Sequence, residues 1–341
     1  MPLYLTIRVA YTVNNITGYD DSGPTLPPFR RKPPPFSKEI YKGGEEKACD
    51  TFKRLRWASA QGEPVCPKCG CLDHYDIPTR RKFKCAACGA QFSVTSGTIF
   101  ASRKLSFVDL LAAICLFVNG AKGMSAVQFS RDLDVQYKTA FVLAYKLREA
   151  LSAETKNETL KGEVEIDGAY FGGVVRPENR VEDRKDRRMK ENQSDRRRVV
   201  IALRERAGRT LTFIRHREAE GVEIARARML AGSKLFADEA NHWDALETEF
   251  ASTRINHSES YSDGHGKHTN MVESYFSRLR RMVAGQHHHV SHRYLYQYAN
   301  HAAWLEDHRR RSNGGNAYAL LGGALTHSVS RVWAGYWQRA A

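Results

Sequence analysis

The chain has no apolar run near the roughly 20 residues that a membrane-spanning helix needs. Its longest candidate, Leu110 to Val118, has nine residues and reads as a buried helix. A signal peptide is not expected, because Arg8 interrupts the short apolar start and no small-residue cleavage site follows it. Neither Gly-x-Gly-x-x-Gly nor a phosphate-loop lysine motif occurs, which argues against the common dinucleotide and nucleoside-triphosphate folds. There is no internal repeat. Acidic residues are in deficit, 38 against 53 basic ones, giving a formal net charge of +15. That balance favours a polyanionic partner without specifying one. Of seven cysteines, four fall into two Cys-x-x-Cys pairs, so a reducing, cytoplasmic setting and metal ligation fit better than disulfides.

What is present divides the 341 residues into parts large enough for two or three domains. Residues 1–44 read as a flexible arm, because Gly23-Pro-Thr-Leu-Pro-Pro-Phe-Arg-Arg-Lys-Pro-Pro-Pro-Phe36 holds too many prolines for a packed element. A short helix is expected over Glu45 to Trp57, and residues 45–100 form a unit with the cysteines. From 101 to 158 the pattern is helical, with Phe107, Leu110, Leu111, Ile114 and Val118 at helix spacing. Two short helices then follow, with Phe129 and Leu133 facing the core from the first and Ala140, Leu143 and Leu147 from the second. They predict a helix-turn-helix that offers Gln136, Lys138 and Thr139 to a DNA groove. An ordinary helical hairpin is the plainer reading. Residues 159–312 alternate strand and helix, with strands expected at 163–167, 198–203, 210–215 and 234–237 and helices at 219–230 and 241–250. The stretch from Arg176 to Arg198 carries ten basic and six acidic residues and is expected to be a basic loop, with Arg196, Arg197 and Arg198 as DNA contacts. Residues 313–341 form a tail whose Trp333, Tyr336 and Trp337 suggest a packing patch.

Cys66-Pro-Lys-Cys69 and Cys85-Ala-Ala-Cys88 are separated by 15 residues. Each turn places two thiolates on one side of a tight knuckle, and two knuckles complete a tetrahedral shell for structural Zn²⁺. Four thiolates leave no position open for water, so this zinc is not expected to be catalytic. Cys71, two residues beyond Cys69, could compete as a ligand but reads rather as a free thiol or one beside the ligands, and Cys49 and Cys115 as buried or inert ones.

Three acidic residues carry the chemistry. Asp167 and Asp238 each end a β-like run, and Glu273 sits in an amphipathic helix 35 positions after Asp238. Two strand-end aspartates with a helix-borne glutamate suit a pair of Mg²⁺ ions held over a phosphodiester. On the first strand Glu163, Glu165 and Asp167 share one face, and Glu165 reads as structural. At about 100° per residue, Glu273 lies at the edge of the helix's apolar arc. Arg280 and Arg281 are placed where they could meet a DNA backbone. His287-His-His289 reads as loop exposure or a DNA contact rather than a metal site.

With these motifs in order, the chain resembles bacterial insertion-sequence transposases that join an N-terminal zinc ribbon to a DDE-type, ribonuclease-H-like catalytic domain. The resemblance covers roughly residues 45–312. It rests on Leu55-Arg-Trp57, both cysteine knuckles, Gly123-Met-Ser-Ala-Val-Gln128 with Tyr137-Lys-Thr-Ala140, Glu165-Ile-Asp-Gly-Ala-Tyr-Phe-Gly-Gly173, Ala237-Asp-Glu239 and His268-Thr-Asn-Met-Val-Glu-Ser274. It implies a multidomain α+β chain with a catalytic triad of Asp167, Asp238 and Glu273. Mg²⁺ or Mn²⁺ would be the catalytic cofactor and DNA transposition the activity. The expected partners are element ends and target DNA, with the protein acting as a homodimer or higher oligomer on DNA. The rival from another class is a domesticated, non-catalytic zinc-ribbon DNA-binding regulator, which an intact triad disfavours.

Overall fold

The computed structural model describes residues 36–172, 180–186, 189, 192, 194–206, 208–255 and 268–339. The proline-rich arm up to residue 35 and parts of the basic 176–198 stretch therefore lie outside the described residues. The chain forms two compact units, one of residues 1–120, 126–153 and 311–341 and the other of residues 121–125 and 154–310. Among the described residues no helix is long and apolar enough to cross a membrane.

The first unit starts with helix α1 (Phe36–Arg56), which breaks at Gly44, where φ is 63°. The helix thus begins nine residues before the expected Glu45, and the kink marks the expected boundary. Ala48, Phe52 and Trp57 are buried. A three-stranded antiparallel sheet follows, of β1 (His74–Ile77), β2 (Lys82–Cys85) and β3 (Gln91–Phe92). Trp57 packs edge-on against Phe83 and Phe92, and this aromatic trio replaces the larger core that so small a sheet cannot form. The Arg56 guanidinium donates to the carbonyls of Ser93, Val94 and Ser96, tying the helix to the chain beyond β3.

Helix α2 (Phe107–Asn119) is buried along most of its length, as its apolar run requires. Its N-terminus is held twice: Ser106 and Asp109 form a capping box, and Glu45 of α1 accepts hydrogen bonds from the N–H groups of Phe107 and Val108, both at 3.0 Å. Two further helices follow, α3 (Ala126–Asp132) and α4 (Tyr137–Glu154). Phe129 of α3 packs on Phe117 of α2, and Ala140, Leu143 and Leu147 are buried from α4.

The second unit is built on a five-stranded sheet of β4 (Glu163–Phe171), β5 (Arg198–Glu205), β6 (Thr210–Arg215), β7 (Lys234–Asp238) and β8 (Ala251–Ile255). The order is β6-β5-β4-β7-β8, with the first three antiparallel and β4, β7 and β8 parallel. Alternation sends Val164 and Ile166 into a core completed by Val222, Ile224 and Ala225 of α5 (Gly221–Arg228) and by Trp243 and Leu246. Glu165 and Asp167 therefore face the other side, where α6 (Asn270–Met282) and α7 (Leu295–Asp307) pack. The expected helix over 241–250 is only a short 3-10 turn, Asn241–Leu246, and β8 was not expected from the sequence. Buried Arg204 ties this layer together, because it faces Glu306 and Asp307 of α7, while Asp307 accepts from the Thr210 N–H and hydroxyl.

Helix α8 (Asn313–Thr326) belongs to the first unit, so the expected tail is in part a packed helix, its Leu320, Leu321 and Leu325 buried. Trp333 stacks on Tyr145 with ring centres 4.2 Å apart, and Tyr336 and Trp337 complete the expected packing patch around Phe141.

Candidate active site

The β4–β7 ladder pairs Glu163, Val164 and Glu165 with Lys234, Leu235 and Phe236. The same offset carried two residues on sets Asp167 of the central strand alongside Asp238, which ends β7. Both carboxylates thus emerge at one end of the parallel pair. Glu273 comes from the first turn of α6, half-buried, where Thr269 Oγ1 donates to its Oε1 at 2.9 Å. Asp238 Oδ1 accepts from the Ala240 N–H, and Asp167 Oδ1 from the Gly168 N–H at 2.7 Å. Burial pushes the Asp167 carboxyl up to about 7, and the charges of Asp238, Glu218 and Glu273 add to the rise against the opposing Gly168 N–H. The charges of the other two acids read from the sequence, Asp238 and Glu273, thus both reach the Asp167 carboxyl.

Glu218 is a fourth acid, which the sequence reading missed. It precedes α5, and its carboxylate lies where a side chain on residue 168 would stand: a Cβ built on Gly168 would be 2.4 Å from Glu218 Oε1. Burial raises Glu218 to about 7, with the charge of Asp238 adding to it. Among the described residues no lysine or arginine forms an ion pair with Asp167 or Glu218. An acid at the start of a helix ordinarily complements the helix dipole, so no local signal set Glu218 apart.

Glu165 faces the same side as Asp167 and is fully buried. Its Oε2 accepts from the N–H groups of Met271 and Val272 at the start of α6, and its Oε1 from Arg206 Nε. This agrees with the structural role expected for it.

The cysteines converge in the first unit. The Sγ atoms of Cys66, Cys69, Cys85 and Cys88 all lie within 4.8 Å of one another, with Cys66 to Cys88 at 3.7 Å and Cys69 to Cys85 at 3.5 Å. A tetrahedron with metal–sulfur bonds of about 2.3 Å has edges of about 3.8 Å, so the four positions fit Zn²⁺. Gly70 and Gly89 close the two knuckles at φ of 75° and 68°, a left-handed conformation that glycine adopts without strain. The Cys88 N–H donates to Cys85 and lowers its thiol, while the facing Cys69, although the Cys71 N–H lowers it, is raised by its bonds to Cys85 and Cys88, so the thiols share protons where no cation lies between them. Cys71 bonds instead to the Asp73 carbonyl, and Cys49 and Cys115 are buried.

The residues expected to meet DNA are scattered over both units. Gln136, Lys138 and Thr139 are exposed at the start of α4, but the Lys138 ammonium lies over the Trp337 ring at 5.5 Å. Arg196 is exposed, Arg197 stacks over Tyr170 at 4.3 Å, and Arg198 bonds to nearby carbonyls. Arg280 and Arg281 are exposed on α6, with Arg281 Nε donating to the Ser277 carbonyl.

Residues 159–307 match the family model of the ISXO2-like transposase domain, and residues 43–91 match that of the transposase zinc-ribbon domain. The chain belongs to the insertion-sequence transposases. The catalytic-domain match spans all five strands of the second unit and ends at α7, and the ribbon match takes in both cysteine knuckles. These domains imply that this transposase binds DNA, and the ribbon with its four cysteines supports structural Zn²⁺. No curated protein and no solved structure gives a significant match.

Proposed function

We propose that the transposase binds the ends of its element, hydrolyses a phosphodiester there and transfers the freed 3′ end to target DNA. The observation that carries this reading is that Asp167 in the middle of β4 feels the charges of Asp238, which ends the adjacent β7, and of Glu273 in the first turn of α6, inside a domain of transposase type. The strand order, three antiparallel strands followed by two parallel ones, supports a ribonuclease-H-like core. The short α3, the tight turn and α4 support a helix-turn-helix, with Gln136, Lys138 and Thr139 toward a groove.

The donor set fits Mg²⁺ or Mn²⁺, because every group offered is a carboxylate oxygen and Asp167 and Glu218 have no cationic partner among the described residues. Asp167, Asp238 and Glu273 would hold the ions, which supply an activated water or 3′ hydroxyl and a neutralised leaving oxygen. Asp167, Asp238 and Glu273 accept hydrogen bonds from the Gly168 N–H, the Ala240 N–H and the Thr269 hydroxyl, which orient the three carboxylates. The protein need supply no covalent nucleophile. Exposed Arg196, Arg280 and Arg281 supply charge for the phosphate backbone.

The test is strand cleavage of end-containing duplex by Asp167→Asn, Asp238→Asn and Glu273→Gln under Mg²⁺ and Mn²⁺. Each change keeps shape and removes one ligand charge, so cleavage should be lost while end binding survives. A wild type that leaves the ends intact, or variants that cut as it does, would replace this reading with the non-catalytic regulator.

A further inference from the structure

The acids of the proposed site come from segments more than 100 residues apart, Asp167 on β4 and Glu273 on α6, yet the bonded path between them is short. Glu165 lies two residues before Asp167 on the same face of β4, about 7 Å along the strand. Its carboxylate accepts from the N–H groups of Met271 at 2.8 Å and Val272 at 3.0 Å, and Glu273 is the next residue. Arg206 closes the other side. It donates from Nε to Glu165 at 2.9 Å, from Nη1 to Glu163 at 2.9 Å and from Nη2 to the His268 carbonyl at 2.7 Å. His268 Nδ1 is 3.1 Å from Glu165 Oε1. Between these anchors sits Thr269, buried, whose carbonyl accepts the Glu273 N–H and whose hydroxyl donates to the Glu273 carboxylate.

We infer that Glu165 is a positioning residue for the proposed metal site, setting the carboxylate of Glu273 against Asp167 through the first turn of α6. A free carboxylate this deeply buried is costly, and here backbone N–H groups and Arg206 compensate it. The cap would hold α6 wherever it lay along the helix axis. What distinguishes this one is its place: the strand that carries one metal-binding acid also grips the backbone beside another. The resulting relay runs from Asp167 through Glu165 and Val272 to Glu273. It does not depend on the path of the intervening chain.

The inference rests on the metal-dependent reading above, and Mn²⁺ binding followed by the loss of the free-ion electron paramagnetic resonance signal tests it without catalysis. Glu165→Asp keeps the charge but retracts the carboxylate by one methylene. It should weaken Mn²⁺ binding about tenfold to a hundredfold, the range for residues that orient ligands. In a Glu273→Gln background the same change should have little further effect, because the two residues act along one path. Should Glu165→Asp fail to fold, Arg206→Lys replaces the guanidinium fork that holds Glu165, Glu163 and the His268 carbonyl with a single ammonium and should weaken binding in the same direction. Leu246→Ala, buried on the opposite face of the sheet, should lower the melting temperature and leave Mn²⁺ affinity unchanged. Glu165→Asp or Arg206→Lys binding within about twofold of wild type, full additivity with Glu273→Gln, or an equal loss in Leu246→Ala would overturn the inference. Wild type that takes up no Mn²⁺ would instead overturn the acidic-site reading, and this inference with it.

Discussion

Glu218 fills the space that any side chain on residue 168 would need. Its Oε1, Cδ and Cγ lie 2.4, 2.6 and 2.7 Å from where a Cβ on Gly168 would be placed. Gly168 sits in a strand with no positive φ, so alanine is compatible with the backbone and would even gain about 0.5–1 kcal/mol from reduced chain entropy. The Glu218 carboxylate, at the end of a flexible side chain, is what must move. Gly168→Ala is therefore expected to melt within a few degrees of wild type and to weaken Mn²⁺ binding. Glu218→Gln should do the same, and combining the two should add little, since both remove one carboxylate from one place. Mn²⁺ titration of the three variants checks this, and undiminished affinity in Gly168→Ala would show that Glu218 plays no part at the site.

The raised carboxyls predict how the metal-free protein responds to pH. Asp167 moves from an ordinary 3.8 to about 7 and Glu218 from 4.5 to about 7, mainly through burial. Between those values the folded protein keeps protons that the unfolded chain has released, so stability falls as pH rises through about 4 to 7 and stays low above it. Melting curves of protein free of Mg²⁺ and Mn²⁺ should drop from about pH 5.5 to about pH 8. In Asp167→Asn the drop should be smaller by roughly 3 °C or more. Added Mn²⁺ should restore the wild type at the higher pH and do less for the variant. Parallel curves for the two proteins would contradict the assignment.

One Zn²⁺ per chain is expected on the four cysteines, and the ribbon should unfold without it, because metal binding and folding are one process in so small a unit. Trp57 reports on this directly, being buried between Phe83 and Phe92. Chelation, or Cys66→Ser with Cys85→Ser, should remove zinc from elemental analysis and shift tryptophan emission to the red. The shift should be absent in Trp57→Phe. Full zinc in the double serine variant would refute the ligand set.

Much of the site was legible because its chemistry coincides with local pattern. Asp238 ends its strand as expected, whereas the run expected to stop at Asp167 continues to Phe171, and the helical wheel placed Glu273 at the core edge, where it is half-buried. The cysteine spacing needed no tertiary information. Strand β8 was not legible, since Ala251-Ser-Thr-Arg-Ile255 has almost no apolar alternation and is fixed by parallel pairing with β7. The 241–250 stretch looked helical because Trp243 and Leu246 are spaced for a helix, yet only Asn241–Leu246 coils, as a short 3-10 helix that buries both side chains in the core. Glu218 and the Arg206 grip on Glu165 arise from contacts distant in sequence, which no local pattern encodes.

The residues proposed to meet DNA separate into two classes with different expected signatures. Arg196 is exposed and carries no sequence information, so Arg196→Ala should weaken element-end and random duplexes alike and reduce the salt slope by about 1. Arg197→Ala should do less, because its guanidinium lies over Tyr170 rather than free for phosphate. Gln136 and Thr139, exposed at the start of α4, should instead set discrimination, each alanine variant costing about 1–3 kcal/mol on element ends and little on random DNA. Lys138 is expected to fall between the classes, since Trp337 competes for its ammonium. In Trp337→Ala that competition ends, and the effect of Lys138→Ala should grow. Fluorescence anisotropy on both duplexes over a range of salt concentrations measures all of these. A slope near zero would mean that the net charge of +15 is not directed at DNA, and equal losses on both duplexes for Gln136→Ala and Thr139→Ala would remove α4 from the reading head.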